Sequence, residues 1–306
     1  MLKLAIHRAR VLVAAIIAAG CAAGQTSPGN SVLRAGRIQV NAVVMDRHER
    51  LVTSLGPGDF HLTVDKFPAK IDSFWKEDGP VSAVIVFDTS GSMAPALKRG
   101  RDALQAFLRQ EYPGDEYALV VCKEKPSLEV GFTNDVSAIA ASPHLVATKG
   151  KTALYDALGM AMHVLSEARN TRKVIFVISD GIDNASRIRH QEVMRMLGES
   201  DVFLYAVEFW TSAQMDDVPP PRSYLADFAD LTGGVYFGEV TPNEFIKVLS
   251  RLDIHQRYLL TFQPRRREGD GRYHKVGLQL TGDSRRQKLL LYWRHGYRDR
   301  DSAPAE

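Results

Sequence analysis

The sequence predicts an α/β fold in which a doubly wound, mostly parallel sheet is joined to a small β-sandwich. Three observations predict it. In the middle of the chain, apolar strand-like runs alternate with helical segments, a pattern typical of a parallel sheet with helices on both faces. Two of these runs end abruptly in aspartate, as strands at a ligand-binding edge do. Strand-like segments without helices precede and follow this region.

The first of the two runs organises the central region. Val84 to Phe87 are apolar and are followed by Asp88, Ser90 and Ser92. A short continuous apolar run bounded by turn residues is typical of a strand buried on both faces. An amphipathic segment comes next, so the polar residues occupy the loop between a strand and a helix. Ligands of open parallel sheets bind at this edge.

Two later segments are predicted to reach the same edge. Val174 to Ile178 form a second apolar strand that leads into Asp180, and a helix predicted over residues 152–169 begins at Thr152. Because the carboxyl ends of parallel strands lie at one edge of a sheet, Asp88 and Asp180 are expected to emerge together. The helix start can bring the Thr152 hydroxyl to them.

The flanking segments are predicted to pair with each other. Alternating strand patterns occur over residues 38–44 and 60–64 before the central region, and over residues 258–262, 276–280 and 289–293 after it. Neither flank has enough strands for a stable sheet alone. We therefore expect one sandwich with the sheet domain inserted into it. The predicted division is a signal peptide (1–24), an N-terminal β flank (35–79), the central domain (80–253) and a C-terminal β flank (254–299).

The three polar segments together resemble a known family. An Asp-x-Ser-Gly-Ser motif follows a strand at Asp88, a Gly-Lys-Thr-Ala-Leu-Tyr-Asp-Ala-Leu segment contains Thr152, and a Ser-Asp-Gly motif contains Asp180. In order and spacing they resemble the metal-ion-dependent adhesion site of von Willebrand factor type A domains, over roughly residues 80–253. The flanks and the segment from Ser179 to Ser186 are also similar to von Willebrand-factor-A-related proteins of bacterial envelopes. The resemblance implies that Ser90, Ser92 and Thr152 contact a metal.

The resemblance also implies that Asp88 and Asp180 hold this metal largely through water. The chemistry of the donors agrees, because Mg²⁺ binds about six oxygens and gives up water reluctantly. Two carboxylates and three hydroxyls leave one position for a partner's carboxylate. We expect Mg²⁺, with Mn²⁺ as the alternative ion. Asp156 is predicted to orient Thr152, and Asn184 is predicted to start a helix rather than to bind metal.

The predicted function is therefore divalent-cation-dependent adhesion to a protein that presents Asp or Glu. No side chain is placed as a nucleophile, so we do not expect an enzyme. Two alternatives remain open: a Mg²⁺-dependent phosphoester hydrolase, which would need a base or nucleophile with a second metal or a phosphate cradle, and a metal-free structural scaffold.

The N-terminus predicts export. A basic stretch that includes Lys3, Arg8 and Arg10 precedes the apolar run from Val11 to Ala19, which is too short to span a bilayer as a mature helix. The pattern is typical of a secretory signal peptide. Two interpretations remain open for its end. Cys21 lies in a segment that resembles a lipobox and would carry a lipid anchor, or cleavage after residue 23 or 24 would release the protein. The expected location is extracytoplasmic: periplasmic, secreted or membrane-anchored as a lipoprotein.

Charge and motifs exclude nucleotide and nucleic-acid binding. Removing the signal peptide takes away three bases and no acids, which leaves 36 of each. A chain without net charge gives no electrostatic case for a nucleic-acid partner. Lys149 to Thr152 resemble the end of a phosphate-binding loop, but Leu145 stands where that motif needs glycine. Lys149 and Lys151 are instead expected to favour acidic partners. Cys122 is expected to be a small core residue.

Overall fold

The computed structural model describes residues 37–48, 50–110, 112–146, 150–209, 223–238, 254–264, 272–282 and 288–298. The predicted signal peptide and Cys21 lie outside these residues, as does Lys149. Among the helices within these ranges, none is both long and apolar enough to cross a membrane.

Fourteen strands and five α-helices are defined in the described part of the chain. The strands are β1 (Ile38–Met45), β2 (Phe60–Val64), β3 (Phe67–Ala69), β4 (Ser73–Asp78), β5 (Val81–Asp88), β6 (Glu116–Cys122), β7 (Ser127–Thr133), β8 (Arg172–Ser179), β9 (Val202–Glu208), β10 (Tyr236–Phe237), β11 (Gln256–Phe262), β12 (Tyr273–Leu280), β13 (Leu290–Trp293) and β14 (Gly296–Arg298). The helices are α1 (Leu97–Leu108), α2 (Val136–Ala140), α3 (Leu154–Ser166), α4 (His190–Gly198) and α5 (Tyr224–Thr232). Short 3₁₀ helices span Pro57–Asp59 and Gly91–Met93.

The central sheet has the strand order β10-β9-β8-β5-β6-β7. All neighbouring strands are parallel except β6 and β7. Every residue of β5 is buried, because apolar clusters cover both faces of the sheet. On one face Ile85 and Phe87 pack with α1 and α2, and on the other Val84 and Val86 pack with α3, α4 and α5. The predicted doubly wound, mostly parallel sheet is confirmed.

The flanks form a sandwich of two antiparallel sheets, with orders β13-β1-β11-β4 and β14-β12-β2-β3. Each sheet joins the two ends of the chain: Ile38 is paired with Phe262 in the first, and Leu62 with Leu278 in the second. The facing side chains share one apolar core that includes Leu62, Leu260, Phe262 and Leu278. The predicted sandwich of N- and C-terminal strands is confirmed.

The chain passes between the sandwich and the central sheet at Gly79 and again at His255, and two buried side chains hold both crossings. Arg172, at the start of β8, donates from Nη1 to the Gly79 carbonyl at 2.6 Å and to the His255 carbonyl. Asp115 accepts from the Val81 amide at 2.8 Å and lies 3.0 Å from Nε2 of His255.

Two predicted helix starts differ from the structure. The helix predicted to begin at Thr152 begins at Leu154, because both backbone polar groups of Thr152 bond to a neighbouring loop. In α2 the N-terminal capping residue is Asp135, whose carboxylate accepts from the Ser137 amide at 3.0 Å. The sequence predicts a short helix after Phe132 with Asn134 as its cap, and this residue comes one position too early.

Candidate metal centre

Two buried aspartates lie side by side at the carboxyl edge of the central sheet. Asp88 ends β5, and Asp180 directly follows β8, the neighbouring parallel strand, in which Ile178 is paired with Phe87. The exposed fraction of both residues is 0%. The sheet therefore brings these two predicted site residues to one place.

The Asp88 carboxylate is held by two hydrogen bonds. Oδ1 accepts from the Ser90 amide at 2.9 Å, and Oδ2 accepts from the Ser179 hydroxyl at 2.6 Å. Burial nevertheless raises the pKa of Asp88 to about 6; the bonds from Ser179 and Ser90 oppose this rise, and the nearby charge of Asp180 adds to it. The hydrogen bonds around Asp88 therefore do not fully compensate the negative charge of its ionised form.

Asp180 is in the same electrostatic position. Its Oδ1 accepts from the Ile182 amide at 3.1 Å. Burial raises the pKa of Asp180 above its usual value, although hydrogen bonds from the Ser92 hydroxyl and the Ile182 amide partly oppose the rise. Burial therefore raises the pKa of both adjacent carboxyl groups.

The hydroxyl groups of Ser90 and Ser92 lie in the loop that follows β5. The loop after the strand turns into the 3₁₀ helix Gly91–Met93, and the fully buried Met93 side chain anchors it in the core. This turn places the hydroxyl oxygens of Ser90 and Ser92 3.1 Å apart. Ser90 is buried and Ser92 is half-buried, so the two oxygens lead from the aspartates towards solvent.

Thr152 is 1% exposed, and the backbone of residues 150–153 is tied to three other segments. Its amide donates to Oδ1 of Asn184 at 2.8 Å, and its carbonyl accepts from the Asn184 amide at 2.9 Å. Next to it, the Gly150 carbonyl accepts from the Gly91 amide at 3.5 Å. The Ala153 amide donates to the Lys123 carbonyl beyond β6 at 3.2 Å. The loops that carry all five predicted site residues are thus connected.

Two sequence-based roles near Thr152 are wrong. Asn184 does not start a helix; it lies in the loop before α4, which begins at His190, and it holds Thr152. Asp156 was expected to orient Thr152, but its Oδ1 accepts from the amides of Arg187 and Ile188, both at 3.0 Å, and so shapes the same loop from the other side.

Comparison with known proteins identifies the central region. A family model for the von Willebrand factor type A domain matches residues 83–182, which run from β5 to the turn after β8. These residues carry all three polar segments. Residues 83–182 are thus similar to a von Willebrand factor type A (VWA) domain, and we refer to the central sheet with its helices as the VWA domain. No curated protein matches the chain.

Solved structures resemble the chain at low sequence identity. An aerotolerance-related membrane protein from Bacteroides fragilis is 15% identical, with 56% of this chain and 97% of that chain covered and a TM-score of 0.44. A von Willebrand factor type A protein from Catenulispora acidiphila is 12% identical, with 80% and 75% covered and a TM-score of 0.45. The PilB minor pilin from Streptococcus sanguinis is 14% identical, with 56% and 60% covered and a TM-score of 0.44.

The donor set of the VWA domain fits a small, hard divalent cation. The residues gathered at the edge are two carboxylates and three hydroxyls, and all of their donor atoms are oxygens of the kind that Mg²⁺ prefers. Among the described residues, no group of three or more His, Cys, Asp or Glu side chains could hold a metal. A metal at this edge would take its other protein ligands from the neutral hydroxyls of Ser90, Ser92 and Thr152.

Sequence reasoning missed two residues of the VWA edge, Ser179 and Asn184. Ser179 carried a usable signal, because in the strand register it lies opposite the position of Asp88 and on the same face of the sheet. Asn184 carried none, since its partner Thr152 is 32 residues away in a loop whose path the sequence does not define. Cys122 is buried in the core as predicted, and burial raises the pKa of its thiol.

Proposed function

We propose that the VWA domain is a divalent-cation-dependent protein-interaction module on an extracytoplasmic protein. The observation that carries the proposal is the pair of buried carboxyl groups, Asp88 and Asp180, whose pKa values burial raises. A cation at this edge would stabilise their ionised forms and lower both pKa values. The N-terminal export pattern supports a periplasmic, secreted or lipid-anchored location, with Cys21 as the attachment point in the last case.

Each residue has a distinct part in the proposed site. Asp88 and Asp180 would neutralise most of the charge of Mg²⁺ or Mn²⁺, largely through bound water. Ser90, Ser92 and Thr152 would add neutral oxygens. The cation would supply an electrophilic position that attracts a carboxylate of the partner protein. Asn184 would keep Thr152 in place, since it bonds both the amide and the carbonyl of that residue.

Metal binding is tested on the mature chain, residues 25–306. We expect Mg²⁺ to raise the melting temperature of the wild type relative to EDTA, because a ligand that binds only the folded state stabilises it. Asp180→Ala and Ser92→Ala should abolish this shift and the heat of Mg²⁺ binding in calorimetry. Asp102→Ala, which removes an exposed carboxylate on α1, is the matched control and should behave as the wild type.

The same variants decide whether these residues are structural. Circular dichroism of Asp180→Ala and Ser92→Ala should retain the wild-type spectrum, since neither side chain contributes to the apolar core. Collapse of the spectrum would show that they hold the fold rather than a metal. A wild-type protein that melts at the same temperature with Mg²⁺ and with EDTA would favour the scaffold alternative.

Partner binding is tested by affinity capture from an envelope extract. The immobilised wild type should retain a protein in Mg²⁺ and release it in EDTA, and Asp180→Ala should retain nothing in either buffer. Replacing the partner's acidic residues by their amides should then remove binding. Turnover of p-nitrophenyl phosphate that requires Mg²⁺ and is lost in Asp180→Ala would contradict the proposal and favour the hydrolase alternative.

A further inference from the structure

Three helices begin with aromatic side chains beside the candidate metal centre. Tyr155 is the second residue of α3, His190 is the first residue of α4, and Tyr224 is the first residue of α5. The strands β8 and β9 lead into α4 and α5, so these helix starts lie at the carboxyl edge of the sheet. The aromatic rings therefore gather at the edge that holds Asp88 and Asp180.

The rings pack on one another and on Phe228, and we call these four residues the aromatic shelf. The His190 ring lies 4.6 Å from the Tyr224 ring and is stacked on Phe228 at 5.2 Å, measured between centroids. Tyr155 contacts Tyr224 and Phe228 edge-on at 6.5 Å and 6.0 Å. The shelf thus has a rigid base.

Its members differ sharply in exposure. Phe228 is 0% exposed and Tyr155 is 8% exposed, whereas Tyr224 is 52% exposed. A large exposed ring supported from behind by buried rings can bind a planar side chain with little loss of conformational entropy. Tyr224 is therefore the contact surface of the shelf, and the other three residues position it.

The shelf is connected to the loops of the metal centre. The Tyr155 amide donates to Oδ1 of Asp183 at 3.3 Å, in the turn that also contains Asn184. Asn184 in turn holds Thr152, three residues before Tyr155. A partner segment bound at the cation would therefore pass the shelf within a few residues.

The charges around the shelf favour an acidic partner. Lys151, Arg187 and Arg189 are exposed, and none of them forms an ion pair with any residue in the described ranges. Each of the three helices also has a carboxylate in its first turn: Asp156, Glu192 and Asp227. Asp156, Asp183 and Glu192 accept hydrogen bonds from backbone amides, which offset part of their charge. The N-termini of α3, α4 and α5 add partial positive charge.

We propose that the aromatic shelf binds an aromatic side chain of the partner that lies close in sequence to the partner's metal-binding Asp or Glu. This inference rests on the proposed function and makes it more specific. The partner is then an acidic segment with a neighbouring Phe, Tyr or Trp. Tyr224 stacks on that ring, and the exposed cations attract the surrounding acidic residues.

The test uses a phage-displayed library of random 12-residue peptides, selected on the mature chain in Mg²⁺ and in EDTA. In Mg²⁺ the wild type should enrich peptides with Asp or Glu and an aromatic residue within about three positions of it. Tyr224→Ala should enrich the acidic residue without the aromatic one. Tyr224→Phe keeps the ring and is the matched control, so it should select the same peptides as the wild type.

The strongest wild-type peptide is then synthesised and titrated. Tyr224→Ala should weaken its binding roughly three- to tenfold, the usual range for losing one aromatic pair, and Tyr224→Phe should change it less than about twofold. The Mg²⁺ affinity of both variants should equal that of the wild type. If the wild type and Tyr224→Ala enrich aromatic residues equally, the inference about the shelf is wrong. It is also wrong if the selection depends on Mg²⁺ but the wild type enriches no aromatic residue. In both cases the proposed function would stand. Loss of Mg²⁺ dependence would overturn the proposed function with it.

Discussion

Carboxylates at the two edges of the central sheet differ in how their charge is compensated. At the amino edge Glu77 lies 3.1 Å from Nη2 of Arg172 and also pairs with Arg257, and these two cations hold its pKa below the usual value although burial acts to raise it. At the carboxyl edge burial raises the pKa of Asp88 to about 6 and that of Asp180 as well.

This difference separates structural charge from functional charge. A buried carboxylate with two guanidinium partners has its compensation within the fold, and its task is to join the sandwich to the VWA domain. A buried carboxylate held only by hydroxyl and amide donors has no full positive charge to offset its own. The partners distinguish the two edges: two guanidinium groups contact Glu77, whereas the fully buried Asp88 and Asp180 accept bonds from hydroxyl and amide groups.

The largest expected effect is at the amino edge. Arg172→Met should lower the free energy of unfolding by about 3 kcal/mol, because it leaves a buried carboxylate with one partner fewer and removes a donor from both chain crossings. Urea denaturation measures it. Arg195→Met is the matched control: Arg195 pairs with Glu199 on the surface of α4 and is 55% exposed, so its removal should cost less than about 0.5 kcal/mol. If both variants lose a similar free energy of unfolding, the ion pairs of Arg172 contribute no more to stability than a surface pair.

A smaller effect of opposite sign is expected at the carboxyl edge. The pKa of Asp88 is about 6 in the folded protein against an ordinary value of 3.8, so the folded state holds this proton more tightly. Ionisation of Asp88 therefore destabilises the metal-free protein as pH rises through this window. In EDTA, the stability of Asp88→Asn relative to wild type should increase by roughly 2 kcal/mol from pH 4 to pH 7.

Urea denaturation at a series of pH values measures this difference directly. Adding Mg²⁺ at pH 7 should stabilise the wild type and leave Asp88→Asn unchanged. A difference between the two proteins that does not vary with pH would show that Asp88 is already compensated inside the fold, as Glu77 is.

The smallest expected effect concerns a residue that supports the candidate metal site at the carboxyl edge. Asn184→Ala should weaken Mg²⁺ binding about tenfold, because residues that position a ligand without touching the metal typically contribute that much. Calorimetric titration measures it. Asn134→Ala is the control, since this exposed asparagine follows β7 at the amino edge of the sheet. Unchanged affinity in Asn184→Ala would mean that Thr152 keeps its place without Asn184.

Local pattern predicted most of the fold and the positions of the five candidate site residues. Apolar runs that end in Asp88 and near Asp180 suffice, because parallel strands must deliver both to one edge. The structure was needed wherever two distant loops meet. Asn184, and not Asp156, bonds to Thr152, since the path of the loop between β8 and α4 decides which side chain reaches it.

The sequence also did not predict the side-chain contacts between the sandwich and the VWA domain. Arg172 starts an apolar strand, a position at which a basic residue is ordinarily solvated, yet it is 2% exposed and bridges both crossings of the chain. Likewise, no sequence pattern links the first aromatic residues of three separate helices. Whether the five oxygens bind a metal stays a prediction until Mg²⁺ is titrated.

The pairing of β1 with β11 has a consequence for how the protein is made. Ile38 pairs with Phe262, which lies more than two hundred residues later in the chain, so the first sheet of the sandwich cannot form until both strands are present. Most of the VWA core comes from consecutive elements between these two strands, although Val43 and Met45 of β1 also pack into it, so most of this core can form before the sandwich closes. In the meantime β1 would present unpaired backbone groups, which makes the early strand the part of the nascent chain most in need of a chaperone.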